Sequence, residues 1–221
     1  METIKLNVEK FNQEFVANLS RQIHSFLAIK NTVYIALSGG KSPIAWLELL
    51  SKEDLDWSRV IVSLVDDRFT ENLADRNDKL LEQHLLINNA KLCRLIPLVD
   101  ENKTLSQCVD QANLLNIDFD IVVLGMGNDS HTASIFPCCA ELDTALSADN
   151  INDYIATNPT TAAYARIGFT LNKILASGLI ILPLNDSAKL QVFNNSATKL
   201  EKNKPISYVA LKANKLLIYT V

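Results

Sequence analysis

Ile121-Val122-Val123-Leu124-Gly125-Met126-Gly127-Asn128-Asp129-Ser130-His131 is the stretch on which the reading of this chain turns. Ile121 to Leu124 is a short apolar run, the pattern of a buried strand. Two glycines follow, which let the backbone turn tightly and approach a ligand closely. Asp129 and His131 come next, at the mouth of the turn. Ligands of open α/β sheets bind outside the carboxyl ends of the strands. A strand that ends in this way therefore presents an acid and an imidazole where chemistry is done. A neutral imidazole takes up a proton near pH 7, as the general base of a hydrolysis must.

The same grammar recurs on both sides. Val33 to Leu37 reads as a strand ending in Ser38-Gly39-Gly40, and Pro43 opens a helix through Leu50. Val60 to Val65 reads as another strand, followed by Asp66-Asp67-Arg68. Further strands are predicted at Cys93–Ile96, Tyr154–Thr157, Tyr164–Ile167, Leu179–Leu182 and Leu216–Val221. Helices are predicted at Val8–Ile29, Asp75–Leu86, Thr104–Leu115, Leu171–Ala176 and Ser187–Phe193. In the first of these, Phe11, Phe15, Leu19, Ile23, Phe26 and Leu27 recur at helical spacing. Strands alternating with helices predict an α/β fold. The expectation is one domain over 1–221, with a mostly parallel sheet, helices on both faces and right-handed crossovers.

Bulk properties narrow the partners. The 221 residues suffice for one sizeable core, and a hydrophobic fraction of 48% is ordinary for a globular protein. A net charge of −4 leaves no basic footprint for nucleic acid, although local lysines and arginines can still serve a small anion. No apolar stretch reaches the roughly 18 residues of a membrane span, and the N-terminus lacks a secretory pattern. The reading is a cytoplasmic protein, a monomer or small homo-oligomer, with no membrane partner. Cys93, Cys108, Cys138 and Cys139 form no CxxC pair and no zinc spacing, so they read as reduced thiols. Cys138 and Cys139 lie close to His131 in sequence. No metal site and no cofactor is expected.

Four segments carry candidate chemistry. Ser38-Gly39-Gly40-Lys41-Ser42-Pro43 is a strand end, a glycine turn and a helix start, suited to a phosphate but with neither P-loop nor GxGxxG spacing. Arg68, just past a strand, is placed to grip phosphate or to pair with a neighbouring aspartate on the surface. Asn77, after Arg76, reads either as a hydrogen-bond partner for a polyol or as a helix cap. In the histidine turn, Asp129 precedes His131 by two residues and can orient it. Arg166 reads either as a second positive group or as a solvated cation, while Lys189 reads as a solvated cation. His24 and His84 sit within amphipathic helices and read as structural. Three strand ends thus carry a glycine anion nest, an arginine and an Asp-x-His turn, and in a parallel sheet these ends share one edge.

Together these segments resemble the 6-phosphogluconolactonases of the pentose phosphate pathway. That family carries Ser-Gly-Gly-x-Thr-Pro, Asp-Glu-Arg, Gly-x-Gly-x-Asp-Gly-His-Thr-Ala-Ser-Leu-Phe-Pro and Arg-x-Thr-x-Thr. Here they read Ser38 to Pro43, Asp66 to Arg68, Gly125 to Pro137 and Arg166 to Thr170. Ser42, Asp67, Ser130 and Gly168 depart from the family residues. The resemblance implies a Rossmann-like fold of the sugar-phosphate isomerase/lactonase type, with hydrolysis of a sugar-phosphate lactone as its activity. It implies His131 as base and Asp129 as its orienting acid. It implies Ser38, Gly39, Gly40, Lys41, Asp67, Arg68, Asn77, Gly127 and Arg166 as the substrate-binding set. The related glucosamine-6-phosphate deaminases share the first loop. They carry tyrosine where this chain has Arg68 and glutamate where it has Phe136. A sugar-phosphate sensor without catalysis is the reading from another class.

Overall fold

The computed structural model describes residues 1–221. The chain runs through β1 (Glu2–Lys5), α1 (Phe11–Leu27), β2 (Val33–Leu37), α2 (Ile44–Leu50), β3 (Val60–Leu64), β4 (Asp66–Arg68), α3 (Asn77–His84), β5 (Arg94–Leu95) and α4 (Leu105–Asn113). It continues through β6 (Ile121–Val123), α5 (Leu142–Leu146), β7 (Tyr154–Thr157), β8 (Arg166–Phe169), α6 (Leu171–Leu175), β9 (Leu179–Leu184), α7 (Ser187–Ser196), α8 (Ile206–Lys212) and β10 (Leu216–Thr220). Seven strands form one sheet in the order β1-β10-β9-β6-β2-β3-β5, and every pair in it is parallel. The fold is α/β, as the alternation of periods predicts.

This strand order positions the site. From β2 the chain builds outward through β3 to β5. It then returns to the other flank of β2 with β6 and builds the opposite way through β9 and β10. The direction of winding reverses between β2 and β6, where the two connections diverge and leave a crevice at the carboxyl edge. The loops after Leu37 and Val123 border that crevice, and β3 delivers Asp66 beside them.

The core follows from apolar spacing. All three residues of β6 are buried, as are Val33, Ile35, Ala36 and Leu37 of β2, as expected of strands covered on both faces. On α1, Phe11, Phe15, Leu19, Ile23 and Leu27 recur every fourth residue and form its buried stripe. Phe15 meets Trp46 of α2 and Tyr219 of β10 edge-on, each at 5.3 Å between ring centroids. Fully burying such a side chain contributes roughly 1.5–3 kcal/mol. Helix α4 starts with a reciprocal capping box between Thr104 and Gln107. No helix is long and apolar enough to cross a membrane.

The structure differs from the sequence reading in several places. The strand expected at Tyr164–Ile167 lies at Arg166–Phe169. It belongs to a separate antiparallel sheet, in the order β4-β8-β7. Strands β1 and β4 and helices α5 and α8 lie outside the elements read from the sequence. All four cysteines are free thiols, with Cys93, Cys108 and Cys139 buried. His24 is exposed on α1, and His84 Nδ1 lies 2.8 Å from Glu48 Oε1, so both stand on helices away from the crevice.

Candidate active site

A cleft of about 600 Å³ opens at the carboxyl edge of the sheet. Ser38, Gly39, Gly40, Lys41, Arg68, Asn77, Gly127, Asp129, His131 and Arg166 all line it, and so do Asp66, Ser134, Phe136, Thr161 and Lys189. A volume in this range suits a small polar metabolite.

One wall is the turn after β2. Ser38 Oγ accepts a hydrogen bond from Gly125 N at 2.7 Å and so ties this turn to the one after β6. Gly40 has φ +89°, a conformation that glycine adopts without strain. A Cβ on Gly39 would run into the Asn77 side chain, so only glycine lets the two lie together. The amides of Gly39, Gly40, Lys41 and Ser42 find no acceptor within the chain. They remain available to an anion.

The histidine turn closes on itself. Gly127 N donates to His131 O, and Ser130 N donates to Gly127 O, both at 3.0 Å. Thr132 Oγ1 donates to Gly125 O at 2.8 Å. His131 Nδ1 lies 2.6 Å from Asp129 Oδ1. An ionised carboxylate only accepts, so in the neutral imidazole the proton sits on Nδ1 facing Asp129 and Nε2 carries the lone pair. The imidazole lies on the Phe136 ring, 4.0 Å between centroids and 25° from parallel. A Cβ on Gly127 would collide with the imidazole and lie 2.6 Å from Asp129 Oδ1.

Ser130, which replaces the family glycine, does adopt a left-handed conformation, φ +69°. Such a conformation strains a serine, and the neighbouring structure holds it there. Ser130 Oγ pairs with Ser196 Oγ of α7 at 3.0 Å, and Ser130 O accepts from Ile206 N, the first residue of α8, also at 3.0 Å. Ala133 and Ser134 are left-handed too, at +47° and +59°. The Ala133 carbonyl abuts Gly168, where a Cβ would come within 2.5 Å of it. Gly168, another departure from the family residues, thus makes room for the strained turn.

The small antiparallel sheet supplies the cations. Arg68 and Arg166 are direct partners across β4 and β8. Arg68 Nη1 donates to Asp75 O at 2.5 Å, and Arg166 Nη2 donates to Ala163 O at 3.0 Å. The Nε of each is buried without a partner. Arg166 sits 5.8 Å from the centre of the Phe136 ring. Burial pulls its pKa below the ordinary guanidinium value, Asp66 opposes the shift and Arg68 adds to it. Arginine nonetheless stays charged in proteins.

Two neighbouring aspartates divide the work. Asp66 lines the cleft, and its Oδ2 accepts from Ser134 Oγ at 2.5 Å. Asp67, expected at the substrate, is instead fully buried behind the wall. Alternation along β4 turns it inward, where Oδ1 accepts from Asn77 N at 2.6 Å and Arg68 N at 2.7 Å, and Oδ2 from Asp78 N at 3.2 Å. It therefore caps the first turn of α3 from outside the helix. Burial pushes its carboxyl up to about 7, against the pull of these amides. Asn77 is no side-chain cap: its Nδ2 donates to Asp66 O at 2.9 Å, and its Oδ1 is buried with no donor. Lys189, read from sequence as a solvated cation, reaches the cleft from α7.

The molecule is thus a doubly wound α/β protein that gathers cations, bare amides and an Asp–His pair at its switch point, the layout of a sugar-phosphate isomerase or lactonase. The comparisons with known proteins agree. A family model described as glucosamine-6-phosphate isomerases/6-phosphogluconolactonase matches residues 7–218, and the chain belongs to that family. A 6-phosphogluconolactonase of Neisseria meningitidis is 34% identical over 209 residues, 92% of this chain and 90% of that protein. The crystal structure of a 6-phosphogluconolactonase from Shewanella baltica superposes with a TM-score of 0.92 at 32% identity, covering 100% of this chain and 98% of the other. A monomeric glucosamine-6-phosphate deaminase shares the fold, with a TM-score of 0.79 at 14% identity, 100% of this chain and 97% of the other.

Proposed function

We propose that this chain is a 6-phosphogluconolactonase. It hydrolyses 6-phospho-D-glucono-1,5-lactone to 6-phospho-D-gluconate in the oxidative pentose phosphate pathway. The observation that carries this reading is the Asp129–His131 pair, 2.6 Å apart, in the same cleft as two arginines in register. In this reading His131 Nε2 takes a proton from water as the water oxygen bonds to the lactone carbonyl carbon. The carbonyl electron pair moves onto its oxygen. When the tetrahedral adduct collapses, the bond from that carbon to the ring oxygen breaks, and His131 returns the proton to the ring oxygen. Asp129 fixes the tautomer and stabilises the imidazolium formed in between.

Arg68, Arg166 and Lys189 face the phosphate, with the bare amides of Gly39, Gly40 and Lys41 as further donors. Ser38 and Gly127 hold the two turns in place, and Asn77 lines the cleft wall beneath Gly39. Phosphate binding, remote from the carbonyl, positions that carbonyl against the water. A lactone is an activated ester, so an acid–base pair with fixed geometry suffices. Phe136 stands where a deaminase carries its ring-opening glutamate, which speaks against amino-sugar chemistry here. The test is to offer both substrates. Proton release from the lactone above the spontaneous rate, with no ammonia from glucosamine 6-phosphate, is expected. Ammonia release, or ligand binding without turnover, would overturn the reading.

A further inference from the structure

Tyr164 occupies a left-handed conformation, φ +69°, on the connection from β7 to β8. For a bulky aromatic residue this is a genuine outlier, so other contacts must offset its cost. Core packing does not do so, because Tyr164 stands outside the hydrophobic core and is 40% exposed. Its one specific anchor is the phenol, which donates to Asp75 Oδ2 at 2.8 Å. Asp75 lies 89 residues away in sequence, in the segment between β4 and α3. That carboxylate is itself fixed by Asn72 Nδ2 at 2.6 Å.

One end of this bond, Asp75, carries a carbonyl that orients Arg68, and the other, Tyr164, directly follows the carbonyl that orients Arg166. Asp75 O receives Arg68 Nη1 at 2.5 Å, and Ala163 O, the carbonyl just before Tyr164, receives Arg166 Nη2 at 3.0 Å. Phe69 N donates to Ala165 O at 2.9 Å on the other side of Tyr164. With Arg68 and Arg166 in register across β4 and β8, the contacts close a ring: Arg68, Asp75, Tyr164, Ala163, Arg166. Thr161 and Ala162, on the same connection, line the cleft.

We infer that Tyr164, acting through Asp75, is a positioning residue that holds the two guanidiniums as a preformed fork for the substrate's phosphate. The hydroxyl bond keeps the β7–β8 connection in its strained form. That form sets where the Ala163 carbonyl lies, and the carbonyl sets the direction of Arg166. Without the bond the backbone relaxes from the left-handed region, and the fork must be reassembled each time an anion binds. The inference deepens the lactonase reading and rests on it for the identity of the anion.

The test compares wild type with Tyr164→Phe, Asp75→Ala and the double variant. Tyr164→Phe keeps the ring and removes only the donor. Its KM for the phosphorylated lactone rises about tenfold, the scale of one lost hydrogen bond, while kcat changes less than about twofold. The affinity for inorganic phosphate, measured by calorimetry at low salt, falls by a similar factor. Asp75→Ala, which also frees Asn72, shows at least the same loss, and the double variant is no worse than Asp75→Ala, because the Tyr164 bond is already gone there. A lowered melting temperature with KM and phosphate affinity as in wild type would show a structural role and overturn the inference. Should wild type fail to hydrolyse the lactone, the calorimetry still decides. Weaker phosphate binding in Tyr164→Phe would uphold the fork and discard only the lactonase reading, and equal binding would discard the fork.

Discussion

Arg68 and Arg166 stand directly opposite each other in the antiparallel pair of β4 and β8. Like charges in that relationship repel, and Arg166 is buried to 8% exposure, where repulsion is poorly screened. Asp66 offsets part of the positive field, and the Nε of each arginine still lacks a partner. A pair of this kind is destabilising alone and favourable around an anion. In the proposed reading, that relief is what favours a phosphorylated ligand in the cleft.

Inorganic phosphate should therefore raise the melting temperature of the wild type. At a concentration about 100 times its Kd the gain is about 2.7 kcal/mol. Arg166→Ala should lose most of that shift while folding normally. Thermal unfolding with and without phosphate at low ionic strength checks this, and an equal shift in the variant would remove Arg166 from the anion site.

Gly127→Ala should lower kcat with little change in fold. A Cβ there would enter the space of the His131 ring and crowd Asp129 Oδ1. The ring must turn from its bond to Asp129, and a misplacement of about 1 Å costs on the order of 10²-fold. Kinetics alongside circular dichroism tests this. An unchanged kcat would mean that the imidazole works from another position.

Ser130→Gly should be close to neutral. Removing the left-handed strain gains ~1–2 kcal/mol. Losing the bond to Ser196 Oγ costs about 1 kcal/mol, and glycine's extra freedom in the unfolded chain costs ~0.5–1 kcal/mol. Ser196 Oγ keeps its bond to Val192 O at 2.8 Å. Ser130→Val, which forces a branched side chain into the same conformation, should lose about 2 kcal/mol or more. Urea unfolding of both variants measures the difference.

Asp67 makes stability depend on pH in an unusual direction. Its ordinary carboxyl value is 3.8, and burial raises it to about 7 in the fold. Between these values the folded protein holds a proton that the unfolded chain has released. The contribution is complete below about pH 4, falls as pH rises toward 7 and is gone above that. One such group changes the folding equilibrium by up to about tenfold per pH unit in that window. Asp67→Asn removes this component, so its stability should fall less than that of wild type between pH 5 and 7.5. Parallel slopes for the two proteins would contradict the assignment.

What the sequence made legible was whatever local pattern encodes. The apolar runs of β2, β3, β6 and β9 and the stripe of α1 identify themselves by period. The glycine turns after Leu37 and Leu124 mark the switch point because both follow such runs. Strand β1 was not legible: its residues are mostly exposed and polar, and it is a strand only through its pairing with β10. Asp66-Asp67-Arg68 reads as a polar segment just past a strand, yet pairing with β8 makes it a strand and sends alternate side chains to opposite faces. That alternation is why Asp66 reaches the cleft and Asp67 does not. The amides that Asp67 caps at the start of α3 lie ten and eleven residues away, beyond any local motif. Lys189 reads as a surface lysine because nothing nearby shows that the first turn of α7 borders the cleft. The restraint of Ser130 by Ser196 and Ile206 comes from α7 and α8, and no local pattern around Ser130 encodes it.

The central assignment is that His131 is the base of a lactone hydrolysis. Its most direct test is the hydrolysis rate of freshly generated 6-phospho-D-glucono-1,5-lactone, with the spontaneous rate subtracted, for wild type and His131→Ala side by side. Wild-type turnover well above background is predicted, with kcat lower by about 10²–10⁴-fold in the variant and KM little changed. Near-normal turnover in a folded His131→Ala protein would contradict the assignment.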